Sequence, residues 1–257
     1  MAFEGARVPL TLRTNCSAAA EISSGETGSG RRRTLMLRHI GGKTHYATEV
    51  ESFQHGLVRG FLHNPAGPAT RGLVLTHGAG GNANAALLVK AATVFCEAGI
   101  AVLRCDLPFR QRRPFGPPSP GTAAQDREGL REAVNAMRQI VAGSVTLGGH
   151  SYGGRQATML AAEEPGLCED LLLFSYPLHP PNKSAQLRTA HFPALQTPAV
   201  FVHGTKDPLG STEEMTAALQ LMPAKKKLLS IEGAGHDLKA GKFHADLWAS
   251  IIRNIHD

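Results

Sequence analysis

No stretch of this 257-residue chain approaches the roughly 18 consecutive apolar residues that a membrane-spanning helix needs. A membrane partner is therefore not expected. Residues 1–30 are rich in Ser, Gly and Arg and lack the apolar centre of a secretory leader, which points to the cytoplasm. The four cysteines, Cys16, Cys96, Cys105 and Cys168, show no CxxC spacing and no arrangement with histidine that suits a metal, so reduced thiols are expected and neither a disulfide framework nor bound zinc. The formal charge of +6 invites a nucleic-acid reading, but the basic residues are dispersed. The two clusters, Arg31–Arg33 and Arg110 with Arg112 and Arg113, carry no recognisable nucleic-acid motif. No nucleic-acid partner is expected.

Internal repeats are also missing, and nothing marks a second domain. Residues 1–33, which include SSGETGSGRRR, have little periodicity and read as a flexible or loosely docked segment. Residues 34–257 read as one domain, a length that suits a single large core. Short apolar runs at 72–76, 101–104, 145–147, 171–174, 199–202 and 228–231 alternate with helical patterns. Alternation of that kind predicts an α/β architecture of three layers, a mostly parallel sheet of seven or eight strands with helices on both faces. Weaker runs at 46–52 and 57–62 would open the sheet as an antiparallel pair. Across 126–141, Leu130, Val134, Met137 and Val141 recur on one helical face, and Leu247, Ile251 and Ile255 do the same near the end. The segment 107–121 is too rich in proline to be helical. Between the strands at 171–174 and 199–202 there is no room for a large cap.

The chemistry is concentrated at three strand ends. Gly149-His150-Ser151-Tyr152-Gly153 is a GxSxG that follows an apolar strand and precedes a helical pattern at 155–162. A serine on such a sharp turn is exposed as a nucleophile, and the flanking glycines let strand and helix approach. Serine is a weak nucleophile unless a base takes its proton, and that base needs an acid to orient it. The strand at 199–202 runs into His203-Gly204-Thr205-Lys206-Asp207, and the strand at 228–231 into Glu232-Gly233-Ala234-Gly235-His236. Alone, a loop aspartate is usually a turn former and a histidine usually structural. Ser151, Asp207 and His236 at consecutive strand ends, in nucleophile–acid–base order, predict a catalytic triad. Two backbone N–H groups should stabilise the developing oxyanion: that of Tyr152, next to the nucleophile, and that of Ala79 in the loop His77-Gly78-Ala79-Gly80-Gly81. His77 is expected to brace that loop or to line the site.

The same loop admits a rival. Gly78-x-Gly80-x-x-Ala83 after a strand, with Asp106 at the end of the next, fits a loose dinucleotide-binding fingerprint. That reading leaves Ser151, Asp207 and His236 unexplained, whereas the triad reading also accounts for the glycines. A phosphate-binding P-loop is excluded by the missing Gly-Lys-Ser/Thr. No cofactor and no metal are expected.

The segments LTHGAGG (75–81), CDLPFRQRRPFGPP (105–118), GGHSYGGR (148–155), SYPLHPP (175–181), HGTKDPLG (203–210) and GAGHDLK (233–239) together resemble the dienelactone hydrolase-related branch of the α/β-hydrolases. More narrowly, they resemble bacterial predicted hydrolases grouped with testis-expressed and chromatin-complex α/β-hydrolase-like proteins. The resemblance implies a cap-poor α/β-hydrolase with Ser151, Asp207 and His236 as its triad. Dienelactone hydrolases carry cysteine at the elbow, so Ser151 points away from a lactone and toward a small ester or thioester. Eukaryotic relatives can act as complex subunits, which keeps a non-catalytic scaffold as the alternative. Arg110, Arg112 and Arg113 would lie at the pocket mouth and suit an anionic substrate group, while Tyr176 and His179, in the 176–181 segment, would shape the pocket. The oligomeric state is not written in the sequence.

Overall fold

A computed structural model describes residues 33–35, 38–40, 43–45 and 49–255 except 120, 240 and 241. The segment 1–32 and Cys16 therefore lie outside the described residues. In chain order the elements are β1 (Arg33–Leu35), β2 (Arg38–Ile40), β3 (Lys43–His45), β4 (Glu49–His55), β5 (Val58–Asn64), β6 (Gly72–Thr76), α1 (Ala86–Glu97), β7 (Ala101–Asp106), α2 (Pro108–Arg112) and α3 (Ala123–Arg138). They continue with β8 (Val145–His150), α4 (Tyr152–Glu163), β9 (Asp170–Phe174), β10 (Ala199–Gly204), α5 (Thr212–Leu219), β11 (Lys226–Ile231) and α6 (Ala245–Asn254).

Among the described residues, nine strands form the main sheet in the order β1-β4-β5-β7-β6-β8-β9-β10-β11, and β2 pairs with β3 separately. The expected seven or eight are there, eight strands from β4 to β11, and Arg33–Leu35 adds a further edge strand antiparallel to β4. That strand is three residues long, too short to show a period of its own. From β7 to β11 every pairing is parallel, while the β4–β5 hairpin and the β5–β7 pair are antiparallel. Parallel strands covered on both faces should be apolar throughout, and β6 is buried at all five positions.

The helices divide the core in two. On one face α3, α4 and α5 pack over Val74, Leu147, Leu171 and Phe201; on the other α1 and α6 cover Leu75, Val102, Phe174 and Val202. Of the predicted helical stripe, Leu130, Val134 and Met137 lie on α3 and Val141 just past its end, and all four are buried, each side chain contributing about 1.5–3 kcal/mol through area removed from water. Within 107–121 the expectation of no helix fails. Pro108–Arg112 forms one short turn of helix with proline in its first turn, where a missing N–H costs nothing. Between β9 and β10 the chain makes only a 3-10 turn, Phe192–Ala194, and no cap stands over the sheet.

Candidate active site

Parallel strands bring their C-terminal ends to one edge, and four of those ends build the site. The turn from β8 into α4 forces Ser151 to φ 51° and ψ −116°, a left-handed conformation that costs of order 1–3 kcal/mol outside glycine. Neighbouring backbone holds it there. The Ser151 N–H donates to the Phe174 carbonyl at 2.9 Å, and the Ser175 N–H donates to Val202 at 2.8 Å. A Cβ on Gly153 would lie 2.5 Å from the His77 carbonyl oxygen, so only glycine lets α4 pass that close to the β6 end.

Ser151, His236 and Asp207 meet. His236 Nε2 is 2.7 Å from Ser151 Oγ, and His236 Nδ1 is 2.8 Å from Asp207 Oδ2 and 3.0 Å from Oδ1. A carboxylate only accepts, so Nδ1 carries the proton and Nε2 offers its lone pair to the serine hydroxyl. The Asp207 side chain is fully buried, whereas that of His236 is 24% exposed. Asp207 Oδ1 also accepts the Leu209 N–H at 2.9 Å. Two histidines that the sequence did not single out frame this pair. His150 Nε2–H donates to the His236 carbonyl at 2.8 Å, and His203 Nε2–H donates to Gly210 at 2.7 Å behind Asp207. Burial holds His150 below the usual imidazole range, and its bond to the His236 carbonyl only partly offsets that.

The loop after β6 lies against the elbow. A Cβ on Gly78 would come within 3.3 Å of Ser151 Cβ and 3.0 Å of His150 Nδ1. His77, fully buried, donates from Nδ1 to the Gly78 carbonyl at 2.8 Å and accepts the Leu107 N–H on Nε2 at 3.1 Å. Desolvation keeps its pKa low, so the ring is a neutral brace and not a surface for ligand. The Gly78 carbonyl also accepts Gly81 N–H at 3.0 Å. In a planar peptide the N–H points opposite the C=O, so these bonds turn the Ala79 N–H away from His77.

The arginine expectation changes. Arg110 is 5% exposed and donates from Nε to Gly81 (2.7 Å), from Nη1 to Arg113 (3.0 Å) and from Nη2 to Ala79 (2.7 Å) and Gly116 (2.8 Å). Four of its five donors thus hold backbone carbonyls, and its role is to fasten the β6 loop to the 113–116 loop. Arg112 and Arg113 are exposed, bonding Gln125 and Ser119. A cleft of about 640 Å3 beside them is lined by Arg59, Asp106, Gln111 and Arg112 among others. Tyr176 is buried with its hydroxyl on the Arg188 carbonyl (2.6 Å), and His179 is buried with Nδ1 on Pro180 (2.9 Å), so each spends a polar atom on holding backbone. Asp106, the acid of the dinucleotide alternative, accepts the Ala83 N–H at 2.6 Å.

Among the described residues no group of three or more His, Cys, Asp or Glu is arranged to hold a metal, and no helix is long and apolar enough to cross a membrane. Cys96, Cys105 and Cys168 are buried free thiols pushed up to about 12 by desolvation.

A mostly parallel sheet between two helical layers, with a strained serine at a central strand end, defines an α/β-hydrolase. The chain belongs to the alpha/beta hydrolase domain family, whose model matches residues 69–257. Solved structures share the fold. A dienelactone hydrolase from Anabaena variabilis is 19% identical (TM-score 0.57, covering 88% of this chain and 95% of that one). An alpha-beta serine hydrolase homologue from Coxiella burnetii is 16% identical (TM-score 0.61, 90% and 99%). A serine hydrolase without lid from Xanthomonas campestris is 15% identical (TM-score 0.58, 86% and 93%).

Proposed function

We propose that this protein is a serine hydrolase that cleaves a small ester or thioester through a covalent acyl-enzyme. The observation that carries the reading is the unbroken relay from Ser151 Oγ through His236 to buried Asp207, at 2.7 and 2.8 Å. In this scheme His236 Nε2 takes the Ser151 proton as Oγ attacks the acyl carbon. Asp207 holds the imidazole tautomer and stabilises the imidazolium. The amides of Tyr152 and Ala79 receive the oxyanion. The imidazolium then gives its proton to the leaving alcohol or thiol. Water, deprotonated by His236, attacks the acyl-serine, and collapse returns the free serine and releases a carboxylic acid. The absence of a cap between β9 and β10 favours substrates that reach Ser151 from open solvent. An acidic substituent would meet Arg112 and Arg113, the exposed members of the basic loop. A cytoplasmic location remains part of the proposal.

Labelling with a fluorophosphonate probe followed by peptide mapping tests the reading. One adduct on Ser151, lost in His236→Ala, is the expected result. A folded protein that takes no label would favour the non-catalytic scaffold. An Arg112→Ala/Arg113→Ala variant should lose turnover of acidic esters and keep that of neutral ones; equal effects on both would remove the anionic preference.

A further inference from the structure

Asp126, in the first turn of α3, is a carboxylate with 0% exposure that forms no ion pair with any described residue. Burying a charged or polar group without a cation is costly unless hydrogen bonds compensate. Both oxygens are used. Oδ1 accepts the Phe109 N–H at 2.9 Å, and Oδ2 accepts the Tyr152 hydroxyl at 2.8 Å. The two donors belong to different parts of the site. Tyr152 follows Ser151 and carries the first amide of the proposed oxyanion hole. Phe109 precedes Arg110, whose guanidinium holds the carbonyls of Ala79 and Gly81 and so sets the loop that carries the second. Aromatic contacts close the circuit: the Tyr152 and Phe109 rings pack edge to face at 5.7 Å, and Phe109 meets His77 at 5.7 Å. His77 in turn holds the Gly78 carbonyl.

We infer that Asp126 is a positioning residue that fixes both halves of the oxyanion hole at once, one through the Tyr152 phenol and the other through the start of α2. The inference rests on the serine-hydrolase reading for its consequence in turnover, but its structural content does not. Donors that stabilise a transition state act through placement, because a preorganised dipole needs no reorientation as charge develops. A carboxylate is the side chain that can accept two strong bonds from opposite directions without competing donors of its own. Asparagine in its place keeps one acceptor oxygen and can donate to the phenol oxygen. Leucine removes both anchors and keeps the branched skeleton, with methyl groups in place of the two oxygens.

The test compares Tyr152→Phe, Asp126→Asn and Asp126→Leu. Tyr152→Phe keeps the ring, the backbone amide and the contact with Phe109, and loses only the hydroxyl. It should lower kcat on p-nitrophenyl acetate about tenfold with KM within about twofold, since only transition-state binding is weakened. Asp126→Leu should lower it about a hundredfold, and Asp126→Asn by less than Tyr152→Phe. Affinity for a trifluoromethyl ketone, which forms a tetrahedral adduct, should fall in step with kcat/KM. Adding Tyr152→Phe to Asp126→Leu should cost little more, because both cut one network. Hydrogen exchange of peptides covering 77–82 and 150–155 should rise in both segments in Asp126→Leu. If that variant does not fold, Tyr152→Phe and Asp126→Asn carry the same comparison. Unchanged kcat in folded Tyr152→Phe, or exchange that rises in neither segment, would overturn the inference. A wild-type protein with no turnover and no label would instead defeat the serine-hydrolase reading, and the exchange data would then decide the positioning claim alone.

Discussion

At the scale of single residues, bond geometry separates the groups proposed to react from groups that hold backbone. Asp207 keeps the His236 proton on Nδ1, so Asp207→Asn, which can present an N–H there, favours the wrong tautomer. Turnover should fall about 10³–10⁴-fold with little change in stability, measured as kcat beside a urea melt. Arg110 lies at the opposite pole. Its guanidinium satisfies four backbone carbonyls. Arg110→Ala should cost about 2–4 kcal/mol of stability and most of the turnover. Arg110→Lys should restore little, because one ammonium cannot span the four acceptors. If Arg110→Lys matches wild type in both readouts, the clamp is not what Arg110 supplies. Ser151, Asp207 and His236 could be read from chain order, since each lies in the loop or turn that follows a strand. Asp126, His150 and His203 could not, because their partners lie 26, 86 and 7 residues away and no local pattern announces them.

At the scale of elements, strong apolar periodicity was legible and local boundaries were not. The α3 stripe and the central strands are where the pattern put them. β8 runs three residues beyond the apolar run that marked it, through Gly148, Gly149 and His150, because β6 and β9 pair with those positions. A glycine pair in sequence looks like a turn; between two strands it continues the ladder. The proline rule misjudged α2 for a related reason, since proline at a helix start removes no bond. The contact between α4 and the end of β6 gives a prediction at this scale. Gly153→Ala would set a methyl 2.5 Å from the His77 carbonyl oxygen and 2.6 Å from Thr76 Cγ2. It should destabilise the protein by roughly 2–4 kcal/mol and displace the elbow, as overpacking does. Ser211→Ala, which removes the capping box of α5, should cost only about 1 kcal/mol and leave turnover intact. Urea midpoints and kcat for the two variants check this contrast.

At the scale of the molecule, buried neutral histidines set the response to pH. Burial and Arg104 hold His63 down to about 4, burial and Arg155 do the same to His191, and desolvation lowers His77 and His150. The unfolded chain takes up these protons near the ordinary histidine value of about 6.5 while the folded protein refuses them. Between those values the unfolded state binds more protons, so stability rises with pH. It should be fully present above pH about 7 and lost as the pH falls from about 6.5 toward 4. Urea midpoints across that window should drop steeply, and His63→Gln should flatten the drop. A flat profile in wild type would mean that these rings are charged in the folded protein.

The sequence by itself determined the layer architecture and the placing of Ser151, Asp207 and His236 after strand ends, because apolar periodicity and strand ends are local properties of a chain. Tertiary structure alone decided which polar groups are spent on holding backbone, for that depends on partners remote in sequence. Arg110 reads like a surface cation and becomes a buried clamp, since it meets carbonyls 29 and 31 residues away in the β6 loop. Asp126 reads like an ordinary first-turn helix acid, and only the packing of α2 and α4 against α3 gives its two oxygens something to hold.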